Sequence, residues 1–177
     1  MQSNHKQYST TNKLLEFRHP ELLKKAMTFK QYHQEYMSRN KDNPLKQGIN
    51  ENLIELGQDL IDFYYNDFFF FQDLPNKTHK TFKTYSEIRR LKQLVLSEKN
   101  LADIAVQLGL KSQMFVSINP NSDLKNNSKI LAQTLKAVIG AQYFDKKKDL
   151  NVLRDLLQVL FLDLIKISLV KNSLQIG

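Results

Sequence analysis

The chain has no cysteine and no tryptophan, and only 5 glycines and 4 prolines in 177 residues. Without cysteine, disulfides, thiolate metal sites and cysteine nucleophiles are excluded, and a reducing compartment is compatible. So few chain breakers favour long helices over a sheet built on many turns. A membrane span is also missing: the longest apolar run, VLFLDLIKISLV, is broken by Asp163 and Lys166. No phosphate-cradling glycine loop occurs, nor any serine-based triad. His5, His19, His33 and His79 have no ligand spacing and read as surface residues.

What is present is an ordinary globular balance, 41% hydrophobic and 25% charged, in a length suited to one domain with a real core. The 26 basic against 18 acidic side chains leave a net charge of +8, which points to a polyanionic partner, nucleic acid or an acidic membrane surface. The first residues, MQSNHKQYSTTNK, are rich in hydroxyls and lack acids, a weak resemblance to the tail of an organelle-targeting segment. They contain no arginine and no amphipathic repeat.

Helical periodicity runs through the chain. PELLKKAMTFKQYHQEYM opens with Pro20 at a first helical position, then Leu22, Leu23, Ala26 and Met27 at helical spacing. A polar loop, Arg39 to Asn50, precedes a helix over Glu51 to Phe71 with an inner stripe of Leu53, Leu56, Leu60, Ile61, Tyr64 and Phe68. Ser86 is expected to cap a helix whose apolar face starts with Leu91, Leu94 and Val95. Ser97 is expected to cap the next, carrying Leu101, Ile104, Ala105 and Leu108, with Gly109 stopping it. After a loop from Asn119 to Asn127 come the helix KILAQTLKAVIGAQYF, the KKKD turn and a last helix from Leu150 to about Val170. No strand-like alternation and no internal repeat appears. The predicted class is all-α.

Four blocks carry a family resemblance: PELLKKAMTFKQY, INENLIELGQDLI, LVLSEKNLADIAVQLGL and KILAQTLKAVIGAQYFD. In content and order they resemble the ribonuclease III endonuclease domain, over roughly Pro20 to Leu160. The resemblance implies an all-α, ribonuclease III-like helical bundle over residues 17–177, after an N-terminal extension over 1–16. No double-stranded-RNA-binding domain is expected to follow it.

The departures from that family are at its metal site. Anchored on Asn50, Glu51, Leu53, Leu56 and Gly57, the family's first pair of metal-binding carboxylates falls on Ile54 and Gln58. Anchored on Ile130, Leu131, Ala132, Ala137, Gly140 and Ala141, the second pair falls on Gln133 and Lys136. Metal-assisted phosphodiester hydrolysis needs hard oxygen ligands. Isoleucine has none, glutamine offers a neutral oxygen, and two unit charges 4 Å apart repel by about 4 kcal/mol at an effective dielectric near 20. Glu55 and Asp59 have helical spacing for a metal pair, but shifting the alignment by one residue rotates a helix by roughly 100° and displaces the anchors. The expectation is therefore no enzyme, no cofactor and no metal; a nuclease using Glu55 and Asp59 is the remote alternative.

Glu55 stands where the resemblance places the interface aromatic of the family's symmetric dimer. A buried carboxylate there needs a basic partner, so the expected partner is a second, different ribonuclease III-like chain. Lys77, Lys80, Lys83, Arg89, Arg90 and Lys92, interleaved with His79, Phe82 and Tyr85, suit phosphate contact and base stacking. Lys146, Lys147 and Lys148 form a second basic cluster. The family precedent that fits best is the ribonuclease III-like protein type of the fungal mitochondrial large ribosomal subunit. It implies a non-catalytic, ribosomal-RNA-binding component located in the mitochondrial matrix beside other large-subunit proteins. The alternative is a pseudoenzyme subunit paired with an active ribonuclease III in RNA processing.

Overall fold

A computed structural model describes residues 15–71, 85–119 and 121–174. Among them the helices are α1 (Pro20–Ala26), α2 (Lys30–Arg39), α3 (Glu51–Phe71), α4 (Tyr85–Val95), α5 (Glu98–Gln107), α6 (Leu110–Gln113), α7 (Ser128–Asp145) and α8 (Leu150–Leu174). The all-α class holds, and no described helix is long and apolar enough to cross a membrane.

The centre of the bundle is α7. Leu131, Ala132, Leu135, Ala137, Val138, Ile139 and Ala141 are all buried, so this helix is apolar nearly all round. Such a helix is stable only when neighbours cover every side. α3, α5 and α1 do so, and α3 shares the largest interface with it. The stripe read from α3 is buried as expected at Leu53, Leu60, Ile61, Tyr64 and Phe68, with Leu56 half-buried.

Two glycines let α3 and α7 approach at backbone distance. A Cβ at Gly57 would stand 1.8 Å from the Lys136 carbonyl oxygen, and one at Gly140 would stand 2.3 Å from the Leu53 oxygen. Neither partner is a flexible side-chain end, so neither can give way. The pairing of 57 with 136 and of 53 with 140 makes the helices antiparallel.

The single helix expected from Pro20 is in fact two. The Thr28 hydroxyl donates to the Lys24 carbonyl at 2.7 Å, taking up a group at the end of α1. Residues 27–29 then run extended: Phe29 N–H donates to Phe115 O, and Phe115 N–H to Met27 O. The isolated parallel bridge between Thr28 and Phe115 is a long-range pairing that helical periodicity does not reveal. Buried Asn50 ties the same bend to α3, donating its side-chain amide to Ala26 O at 3.0 Å while its own carbonyl accepts from Leu53 and Ile54.

Smaller differences are local. Ser97 caps α5 as expected, accepting from Asn100 N–H, and Gly109 (φ 69°) follows that helix in the left-handed region. Ser86 lies inside α4 rather than at its cap, and Leu94 is half exposed. The 119–127 loop contains a 3₁₀ turn, Asp123–Asn126, and Asn127 caps α7 by accepting from Lys129 and Ile130. The last helix extends to Leu174.

Two carboxylates fasten loops to helices. Glu35 on α2 accepts from Ser117 Oγ at 2.8 Å and Ile118 N–H at 2.6 Å; Gln31 donates to it at 2.9 Å. These hydrogen bonds, Gln31's first, hold Glu35 below the ordinary carboxylate range. Asp145, fully buried, accepts from His19 N–H at 2.9 Å and Arg18 N–H at 3.2 Å, fixing the approach to α1. Burial pushes its pKa up, but those amides and the Lys146 ammonium outweigh burial and lower it.

Gly57→Ala and Gly140→Ala are each expected to cost about 3 kcal/mol, since added atoms meet backbone rather than movable side chains. Urea unfolding checks this, and unchanged midpoints would refute the crossing. A carboxylate depressed in the folded state stabilises above its ordinary pKa and loses that stabilisation as the pH falls through the folded value. Asp145→Asn is therefore expected to destabilise the chain by about 2 kcal/mol at neutral pH and to flatten the acid limb of a stability-versus-pH curve.

Candidate nucleic-acid interface

α3 and α4 diverge to leave a groove of about 970 Å³ lined by Gln58, Asp62, Asn66, Tyr85, Arg89 and Lys92, among others. On α3, positions 58, 62 and 66 recur every four residues and so share one face. On α4, positions 85, 89 and 92 do the same from across the groove.

The floor is a polar chain. Gln58 Nε2 donates to Asp62 Oδ1 at 3.0 Å, and the Lys92 ammonium pairs with that same oxygen at 2.9 Å. Lys92 and Asp62 are both about a third exposed, 27% and 34%, so this pair lies at the water boundary. Among the described residues Asp62 is the one acid lining the groove and Lys92 offsets it, leaving Arg89 without an acidic partner there. Tyr85, 73% exposed, presents a ring at the rim. Guanidinium, phenol and side-chain amides together suit phosphate, a stacked base and sugar hydroxyls.

The structure divides the basic residues that the sequence grouped. Arg89 and Lys92 face the groove, whereas Arg90, also exposed, does not line it. Lys77, Lys80, Lys83, His79 and Phe82 lie outside the described residues. In the second cluster, the Lys146 ammonium is taken up by the protein: it lies 3.3 Å from Asp145 and 3.1 Å from the Glu16 carbonyl, with its side chain 18% exposed. Lys147 and Lys148 remain exposed, and Lys148 lies over the Phe144 ring at 5.9 Å.

Of the four positions singled out by resemblance, Gln58 lines the groove and Ile54, one turn earlier, packs half-buried against the core. Lys136 and Gln133 are half-buried on α7, with the Lys136 carbonyl against Gly57. One apolar side chain, two neutral amides and an ammonium do not make a donor set for a divalent cation. Among the described residues no three His, Cys, Asp or Glu stand together to hold one. Glu55 and Asp59 are exposed on the solvent side of α3. Asp62 and Asn66 were the residues that sequence reasoning missed; their spacing from Gln58 was the available signal.

The ribonuclease-III-like family model matches residues 19–160. The chain belongs to the ribonuclease-III-like family. This ribonuclease III-like chain is 29% identical over 150 residues to ribonuclease 3 1 of Nostoc sp., a match covering 84% of the chain and 60% of that relative. It is 30% identical over 113 residues to ribonuclease 3 of Fusobacterium nucleatum, covering 62% of the chain and 44% of that protein. In structure it resembles the nuclease domain of ribonuclease III from Campylobacter jejuni with a TM-score of 0.66 and 24% identity, over 86% of this chain and 93% of that one. That structure shows flexibility in the region involved in dimer formation of the Campylobacter domain. The shared fold is the ribonuclease III nuclease-domain bundle.

These relatives also correct one expectation. The sequence reading that the chain is not an enzyme is overturned by the company it keeps: proteins named ribonuclease 3 and nuclease-domain structures point to an endoribonuclease. The chain spans about half to three-fifths of the curated relatives' lengths.

Lys92→Ala is expected to cost less than about 1 kcal/mol, because its ion pair is partly solvated. A loss of several kcal/mol in urea unfolding would show that the pair is structural rather than part of an open groove.

Proposed function

We propose that this ribonuclease III-like chain binds structured RNA through the α3–α4 groove and works paired with a second, different ribonuclease III-like chain. The setting suggested by the sequence is the large subunit of the mitochondrial ribosome, in the matrix, with ribosomal RNA and other large-subunit proteins as neighbours. The observation that carries the RNA reading is the groove: Arg89, Lys92 and exposed Tyr85 face the amide side chains of Gln58 and Asn66 across one cleft. The net charge of +8 supports it. Exposed Glu55 supports an unlike partner, since two copies of a carboxylate meeting at a symmetric interface repel.

A second reading is favoured by the relatives' names: an endoribonuclease, or a subunit working beside an active ribonuclease III in RNA processing. Two measurements separate the readings. Magnesium-dependent cleavage of duplex RNA by the pure chain supports the second, and co-sedimentation with large ribosomal subunits at moderate salt supports the first. For either, replacing the groove-facing Arg89 by Glu is expected to weaken RNA binding at least tenfold and to reduce the slope of log affinity against log salt by about 1. Unchanged binding would remove the groove as the contact.

A further inference from the structure

A second recess lies at the opposite end of α3, between α1 and the 43–48 loop. Its volume is about 540 Å³, and it is lined by Lys24, Lys25, Lys46, Tyr36, Asn43 and Gln47, among others. Among the described residues Glu21 is its one acid, and that carboxylate lies 3.4 Å from His19. Lys24 and Lys46 are exposed and Lys25 is half-buried. None of the three has an acidic partner among the described residues. The Lys25 Cε lies 3.4 Å from where a Cβ at Gly48 would stand, so its stem rests on the floor that this glycine leaves open.

The remaining basic turn lies towards the other end of α1. Asp145 and Lys146 fasten residues 16–19 against the end of α7, which sets exposed Arg18 and the Lys147–Lys148 turn beside the start of α1. Lys24 and Lys25 follow on the same short helix, roughly 8 Å further along its axis at 1.5 Å per residue. Lys147 and Lys148 also hold left-handed backbone, φ 56° and 64°, where glycine is the unstrained choice.

From this placement we infer that Lys147, Lys148, Arg18, Lys24, Lys25 and Lys46 form a second RNA-contact track, which engages phosphates independently of the α3–α4 groove. The inference rests on the RNA reading above. The recess is concave, whereas a bilayer is flat, and none of the exposed large apolar residues lines it; Phe144 and Leu150 stand exposed only at the Lys147–Lys148 end of the track. A membrane-seated surface would need such residues to insert. Phosphate backbone with amide contacts to sugar hydroxyls from Asn43 and Gln47 matches the lining.

The test uses the full chain and a short fluorescein-labelled RNA duplex, followed by anisotropy over a salt series. Lys24→Ala, Lys25→Ala and Lys46→Ala combined are expected to lower affinity at least tenfold at low salt and to reduce the log–log salt slope by about 2 to 3. Lys147→Gly with Lys148→Gly removes charge while relaxing the backbone, so weaker binding at an unchanged melting temperature supports the track. Losses from the groove variant at Arg89 are expected to add to these in log affinity. If the track variants bind like the parent while the groove variant weakens, the track is refuted and the RNA reading stands. If the parent chain binds no RNA at low salt, the RNA reading fails and the track with it. Selective loss of binding to phosphatidylserine vesicles, with RNA affinity intact, would also overturn the track.

Discussion

Everything in this fold depends on how closely α3 and α7 meet. With Gly57 against the Lys136 carbonyl and Gly140 against the Leu53 carbonyl, the two backbones touch and leave no room for a Cβ. Helices normally pack with side chains between them, at 8–10 Å between axes. Removing two side chains draws this pair together and makes α7 the buried axis of the bundle. α1 and α5 then pack against α7, α4 packs against α8, and α4 is left standing off α3 far enough to open a groove.

That constraint bears directly on the site. Gln58 is the neighbour of Gly57, so the crossing fixes where Gln58 and, one and two turns on, Asp62 and Asn66 present themselves. Lys136 contributes its carbonyl to the crossing, and its neighbouring residues on α7 are buried. The groove is therefore a by-product of core packing, and its chemistry is set by which residues α3 turns away from α7. Here those are amides and one compensated carboxylate, opposite an arginine and a tyrosine. This surface suits contact with a nucleic-acid backbone, within a family whose named members are ribonucleases.

The buried carboxylate Asp145 plays a comparable part at the other end of α7. Three donors converge on it, two of them backbone amides preceding α1, so a segment more than 120 residues away in sequence is anchored to the end of the central helix. The same contact withdraws Lys146 from the surface while leaving Lys147 and Lys148 outside. Position within a basic run thus says little about availability, because a single buried acid decides which lysine is internal.

The sequence by itself determined the class, most helix bounds, the caps at Ser97 and Gly109, and the family, because periodicity, capping and motif order are local properties. It also located Gly57 and Gly140 as anchors of the family resemblance. It did not reveal the break at Thr28, where a hydroxyl and a bridge to Phe115 override helical spacing, nor that Arg89 and Arg90 part company on α4. It could not show that Gln58, Asp62 and Lys92 join into one polar chain, or that Lys146 turns inward. Those outcomes depend on which residues, distant in sequence, the α3–α7 crossing and the Asp145 anchor bring within hydrogen-bonding distance, and only the tertiary structure decides that.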